Sequence, residues 1–330
     1  MARDASILCG AGTQTEPVQR RCSAPGAGSG LAQGCAVSAP LFGCEPVDLA
    51  QAFSVQPPPL DFVIPGFLSG TVGALVAPGA TGKSFWALEA AMAIACSVAG
   101  GDVLRIQPKH SGRVVYLAGE DPSTVLNHRV FAIGGHLSVA ARVSIDEQLT
   151  LLPIMGKRLD VMNELQLQEL ISHCAGARLI VLDTLSRIHN LDENSNGDMS
   201  RLVSTLEHVA ASTGASVMYL HHVSKGSARE GQTDQQQAAR GASALIDNAR
   251  WCGYIVKMTE DEAKQLGICS ERRGFYVRFG ISKQNYDTNK LDQWYERSDG
   301  GVLVPVDLAT KSITRKCTGA KKPVNDDERW

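Results

Sequence analysis

The chain has 330 residues, 44 % of them hydrophobic, and a formal net charge of −2. That apolar share is enough for a sizeable core, and the near-neutral charge excludes a global basic field, so any nucleic acid must meet a local patch. No charged-then-apolar leader opens the sequence, the longest apolar run is broken by Glu89, and the nine cysteines include no C-x-x-C pair. Export, a membrane span, a disulfide framework and a zinc site are therefore not expected, and a reduced cytoplasmic protein is.

Residues 1–45 are rich in Gly, Ala and Ser without periodicity and are expected to form a disordered extension. Residues 46–70 read as an N-terminal arm. Pro46–Phe53 gives a short helical stretch, Pro57-Pro58-Pro59 a stiff extended spacer, and Leu60–Gly66 an apolar segment that packs on its own domain or on a neighbour. The main domain is expected over 71–305, followed by a flexible tail at 306–330.

Within that domain Val72–Val76 is an apolar run of the kind that forms a strand buried on both faces. A glycine-containing turn follows, and Phe85–Val98 carries helical spacing. Further strands are predicted at Arg113–Ala118, Gln148–Ile154, Arg178–Asp183, Ala215–Leu220, Trp251–Met258 and Phe275–Ser282. Helices are predicted at Pro122–Ile133, Val161–Ala175, Met199–Ser212 and Glu260–Leu266, with an exposed polar loop at Asn190–Gly197. Such alternation predicts an α/β fold, a mostly parallel central sheet with helices on both faces. Ligands then sit beyond the carboxyl ends of the strands. The residues at those ends are the 77–84 loop, Glu120, Asp183 and His222.

Strand, glycine loop, Lys-Ser and helix form a phosphate-binding arrangement. Pro78, Gly79, Ala80, Thr81 and Gly82 supply backbone N–H groups, Lys83 reaches the β/γ oxygens, and the Ser84 hydroxyl holds Mg²⁺. The first glycine of the usual G-x-x-x-x-G-K-[ST] pattern is Ala77 here, with Gly79 and Gly82 left to supply an open backbone. Asp183, after four apolar residues, suits a second metal-site position, or caps the next segment. Glu120 is placed to accept a proton from water attacking a γ-phosphate, or caps beside Asp121 and Pro122. His222 is a γ-phosphate reporter or an ordinary satisfied histidine. Lys225, Arg229 and Arg240 lie in a polar loop that either meets a phosphodiester backbone or is simply solvated.

A family resemblance runs through the stretches D-L-A-Q-A-F, P-P-P-L-D-F-V-I-P, T-V-G-A-L-V-A-P-G-A-T-G-K-S, V-V-Y-L-A-G-E-D-P, L-I-V-L-D-T-L-S-R, Y-L-H-H-V-S-K-G, D-Q-Q-Q-A-A-R-G-A-S-A-L-I-D-N-A-R-W and Y-V-R-F-G-I-S-K-Q-N-Y-D. In this order, from about residue 47 to about 305, they resemble RepA-type hexameric replicative helicases of broad-host-range (IncQ) plasmids, within the RecA/DnaB-like P-loop NTPases. The resemblance implies a homohexameric ring that hydrolyses ATP with Mg²⁺ and moves on single-stranded DNA in plasmid replication, with initiator and primase proteins as partners. It makes Glu120 the catalytic carboxylate, Asp183 the metal-site acid, His222 the γ-phosphate sensor, and Arg250 the arginine that reaches the neighbouring subunit's nucleotide. Arg273 and Arg278 are rivals for that last role, and an arginine at 250 has bland uses too, stacking on Trp251 or pairing with Asp247. A recombination- or clock-type RecA-like ATPase and a non-enzymatic regulator stay open as other classes; the presence of Lys83 and Glu120 counts against the second.

Overall fold

Six successive buried residues, Val72–Ala77, form the strand around which the sheet is laid. A computed structural model describes residues 43–223, 243–287 and 292–308. The chain divides into two compact units that meet in sequence at Pro58 and Pro59. In the first, helix α1 (Leu49–Ser54) is capped by Asp48, whose carboxylate accepts from the Gln51 N–H, and buries none of its residues.

The second unit begins with a hairpin, β1 (Phe62–Ile64) and β2 (Phe67–Leu68), and continues β3 (Val72–Ala77), α2 (Lys83–Ala95), β4 (Val114–Ala118) and α3 (Ser123–Gly134). Next come α4 (Val139–Gln148), β5 (Leu149–Pro153), α5 (Glu164–Cys174), β6 (Leu179–Asp183), α6 (Asn196–Thr213) and β7 (Ser216–His222). The remainder is α7 (Ser243–Asn248), β8 (Trp251–Lys257), α8 (Glu260–Gln265), α9 (Ser270–Arg273), β9 (Tyr276–Gln284), β10 (Asp292–Arg297) and β11 (Leu303–Val306).

Among the described residues one nine-stranded sheet has the order β11-β10-β9-β8-β3-β7-β6-β4-β5. The six strands from β8 to β5 are parallel, and β9, β10 and β11 extend the sheet antiparallel. Because side chains alternate along a strand, each central strand feeds two cores. Leu75, Tyr116 and Val181 pack on the face covered by α2, α3 and α4. Their neighbours Ala74, Leu117 and Leu182 pack on the face covered by α5, α6 and α7. The mostly parallel sheet with helices on both faces is the one expected.

The small hairpin is fastened to the opposite, amino end of the sheet. Arg178, next to β6, donates to both Asp61 oxygens at 2.8 and 2.9 Å, and Phe67 stacks on Trp251 with ring centroids 5.1 Å apart. This hairpin, α4, α7, α9, β10 and β11 were not anticipated. In α4 the large apolar residues Val139 and Val143 point to solvent while Ala141, Ser144 and Ile145 are buried, so the apolar pattern does not mark the inward face. In β10, D-Q-W-Y-E-R, only Tyr295 is fully buried, which leaves little alternation to read. The polar loop after β6 ends sooner than expected, because Ser195 caps α6 by accepting from the Asp198 N–H.

Helix α2 is buried almost all round and carries Glu89 into the core at 1 % exposure. Its Oε1 accepts from the Leu303 N–H at 2.9 Å, and burial pushes the carboxyl from its ordinary 4.5 up to about 8. A raised folded-state value is fully compatible with folding below pH 4.5 and costs stability progressively from there to pH 8, as the unfolded chain ionises and the folded chain does not. Glu89→Gln keeps the acceptor and removes the titration. Its melting temperature should match the parent's near pH 4.5 and exceed it increasingly towards pH 8. A difference that does not change with pH would show that Glu89 is already ionised in the folded core.

Candidate nucleotide site at the carboxyl ends of the strands

The sheet register itself assembles the site. Ala118, two residues before Glu120, pairs with Asp183, and Ala77, at the start of the loop, pairs with His222. Four strand ends therefore stand side by side. Gly119 permits the closest approach: a Cβ there would lie 2.6 Å from the Arg187 Cβ and 3.3 Å from the Asp183 carbonyl oxygen.

In the 78–82 loop the left-handed backbone positions are Ala80 (φ 59°) and Gly82 (φ 95°). Gly79 has no positive φ, and a Cβ on it would meet nothing within 4 Å. Ala77 replaces the usual first glycine without strain because it is the last residue of β3, buried and packed in the core. Thr81 braces the turn by donating its hydroxyl to the Pro78 carbonyl at 2.8 Å. The first turn of α2 carries no acidic residue, so the positive end of the helix dipole is left for an external anion.

Lys83 is 4 % exposed and its Nζ has no hydrogen-bond partner among the described residues. Burial lowers its pKa from 10.5 to about 8, against the opposing pull of the Asp183 and Glu120 carboxylates. Those carboxylates are occupied elsewhere. Asp183 accepts from the Tyr116 hydroxyl at 2.6 Å and from Ser84 Oγ at 3.1 Å. Burial raises its pKa, while Tyr116, Ser84 and Lys83 pull it back. The adjacent Ser84 hydroxyl and Asp183 carboxylate are hard oxygen donors of the kind Mg²⁺ takes together with phosphate oxygens, so the residues present fit that ion.

Glu120 lies across the site, half-buried. Its Oε1 accepts from Thr184 Oγ1 at 3.1 Å, and His222 Nε2 stands 3.4 Å from the carboxylate. Beside it Asp121 pairs with Arg129 at 2.7 Å, and Arg129 lies 5.1 Å from the centre of the Phe85 ring. His221 is held neutral: burial first, and then the Lys83 charge, bring it down to about 4. A cavity of about 290 Å³ joins the loop, Lys83, Ser84, Glu120, Asp121, Arg129, His222 and Arg297. A larger groove of about 1140 Å³ runs along α2, α3 and α4, but it is mainly apolar and shares only Phe85 and Arg129 with the site. The smaller cavity is where the charged groups converge.

Arg250 is elsewhere. Its N–H donates to the Val72 carbonyl at 2.9 Å, which puts it at the amino end of β3, five residues from Ala77. At about 3.3 Å per residue that is about 16 Å from the start of the phosphate loop. It is exposed, and it neither pairs with Asp247 nor stacks on Trp251. Its rivals are committed locally. Arg273 donates to the Met258 carbonyl at 3.0 Å, and Arg278 pairs with Glu262 at 3.0 Å and lies over Trp294. Lys225, Arg229 and Arg240 lie outside the described residues.

Tyr116, Thr184, Arg129 and Arg297 also belong to the site and were not singled out from the sequence. A tyrosine within V-V-Y-L-A and a threonine directly after Asp183 are local signals, polar groups next to strand ends. Arg129 and Arg297 give none, since each enters the site only through tertiary packing.

A family model described as an AAA domain matches residues 39–228, more than half of the chain. Among solved structures, a DnaB-like replicative helicase studied with its interactions with primase aligns at 14 % identity with a TM-score of 0.52, covering 72 % of this chain and 58 % of its own. The ATPase domain of G40P aligns at 12 % identity and a TM-score of 0.49, over 74 % of this chain and 88 % of its own. The RadB recombinase aligns at 12 % and 0.43, over 72 % and 92 %. This chain thus spans little more than half the length of the DnaB-like helicase, with which it shares a fold. With a phosphate loop between β3 and α2 and a mostly parallel sheet of RecA-like type, the chain belongs to the AAA domain family.

Proposed function

We propose that the protein is an ATP-hydrolysing motor that works as a homohexameric ring on single-stranded DNA and separates a duplex, as a RepA-type helicase of IncQ plasmid replication does. Plasmid initiator and primase proteins are its expected partners. The observation that carries the reading is the buried ammonium of Lys83, without a hydrogen-bond partner among the described residues, at the point where a phosphate loop, Asp183 and Glu120 meet.

In this reading the loop N–H groups and the start of α2 hold the polyphosphate and Lys83 neutralises its β/γ oxygens. Mg²⁺, held from Ser84 and Asp183, supplies further charge neutralisation when bound. Thr184 fixes one oxygen of Glu120, leaving the carboxylate oriented to take a proton from the water that attacks the γ-phosphorus as the bond to the β–γ bridging oxygen breaks. His222, against Glu120 at the end of β7, carries the state of the γ-phosphate towards the segment that follows. Arg250 is too far along β3 to serve its own subunit, which favours a ring in which it completes the neighbour's site. Such an arginine is worth about 10³ to 10⁵ in rate in related NTPases.

Two outcomes are expected. Affinity for Mg²⁺·ADP should be flat below pH 8 and fall about tenfold per pH unit above it, because the free protein then loses the Lys83 proton that the complex needs. Calorimetric titration from pH 6.5 to 9.5 reads this, and a flat profile throughout contradicts the role given to Lys83. Arg250→Ala and Glu120→Gln should each abolish hydrolysis in assembled rings. Mixing the two should restore part of it, where a Glu120→Gln neighbour lends its Arg250 to a subunit that keeps Glu120. Phosphate release and strand displacement from a forked duplex are measured together. Zero activity at every ratio, in rings shown to be mixed, would make Arg250 a residue of its own subunit; restored hydrolysis without displacement would contradict the motor.

A further inference from the structure

The β10–β11 hairpin is tied to both the phosphate loop and its helix. Arg297, the last residue of β10, donates Nη2 to the Ala80 carbonyl at 3.1 Å. Its cross-strand partner Leu303 donates its N–H to Glu89 of α2. Gly82 leaves the passage for the Arg297 side chain, since a Cβ there would stand 3.3 Å from Nη2 and 3.7 Å from Leu303 Cδ1. Arg297 lines the same cavity as Lys83 and Glu120, and its Nε is buried without a partner among the described residues.

We propose that Arg297 is a positioning residue for nucleotide binding within its own subunit, acting through the Ala80 carbonyl. The inference rests on the nucleotide-site reading above. A trans peptide directs its C=O and N–H to opposite sides. The Ala80 carbonyl and the Thr81 N–H share one peptide, so drawing the carbonyl towards Arg297 fixes that N–H on the opposite side and sets which way this loop donor faces. Ala80 also sits at a left-handed φ that an L-residue adopts reluctantly, and a charge-assisted hydrogen bond is the restraint that holds it there. Because it acts on the loop, Arg297 serves every nucleotide that uses the loop, with or without a γ-phosphate.

The test uses the full chain and fluorescent Mg²⁺·ADP, with a non-hydrolysable ATP analogue as competitor. Arg297→Ala should raise both dissociation constants about tenfold, the loss of one hydrogen bond from a charged donor. The turnover number at saturating ATP should stay within about twofold of the parent's. Arg297→Lys, which keeps a cationic donor, should recover part of the affinity. Arg297→Met, closer in bulk and without a donor, gives the same reading should the alanine variant not fold. Unchanged dissociation constants in a folded variant would overturn the proposal, as would a loss confined to turnover, which would place Arg297 at the transition state. Lys83→Ala is the control. A parent that binds no nucleotide overturns the site reading and this inference together; a parent that binds, a Lys83→Ala that does not, and Arg297 variants like the parent overturn this inference alone.

Discussion

A buried ammonium, that of Lys83, with no hydrogen-bond partner among the described residues is the constraint on which this structure turns. Lowering Lys83 from 10.5 to about 8 corresponds to roughly 3 kcal/mol of disfavoured charge. Two charge-assisted hydrogen bonds return an energy on that order, and two phosphate oxygens are groups able to provide them. The surroundings keep the cation from being satisfied internally. Asp183, the acid best placed to cancel it, spends one oxygen on Tyr116 and the other on Ser84. Glu120 is engaged by Thr184 and His222. Among the described residues both carboxylates are thus engaged by hydrogen bonds that do not include the lysine.

That arrangement depends on sheet register. Parallel strands deliver their carboxyl ends to one edge, and pairings such as Ala118 with Asp183 and Ala77 with His222 decide which side chains meet. A slip by one residue in any of these strands would send its alternating residues to the wrong core and withdraw its functional group together. Stability and chemistry share one determinant here. The same geometry sends Arg250 to the far end of β3, so a site completed by that residue belongs to two copies of the chain. A net charge of −2 is compatible with such a ring, in which only a central channel need be positive.

The central strands were legible because each is a run of mostly apolar residues, and the edge they share follows from their being parallel. Val72–Ala77 and Leu179–Asp183 lie within one residue of the expected Val72–Val76 and Arg178–Asp183. The left-handed positions of the loop were not legible, because they depend on the local path; one falls on Ala80, whose carbonyl accepts from Arg297. The outer strands β10 and β11 were not legible because in β10 only Tyr295 is fully buried while its neighbours, Trp294 included, stay partly exposed. Arg129 and Arg297 are 9 and 177 residues from Glu120 and meet it only in three dimensions. No local pattern marks such residues. Only packing does.

The most direct test of the account is a structure of the assembled protein with Mg²⁺ and a non-hydrolysable ATP analogue. Phosphates should be cradled by residues 78–84 with Lys83 Nζ on the β/γ oxygens, the ion beside Ser84 and Asp183, and Arg250 of an adjacent copy at the γ-phosphate. A nucleotide bound elsewhere, or one in the loop with Lys83 still unpaired, would contradict it.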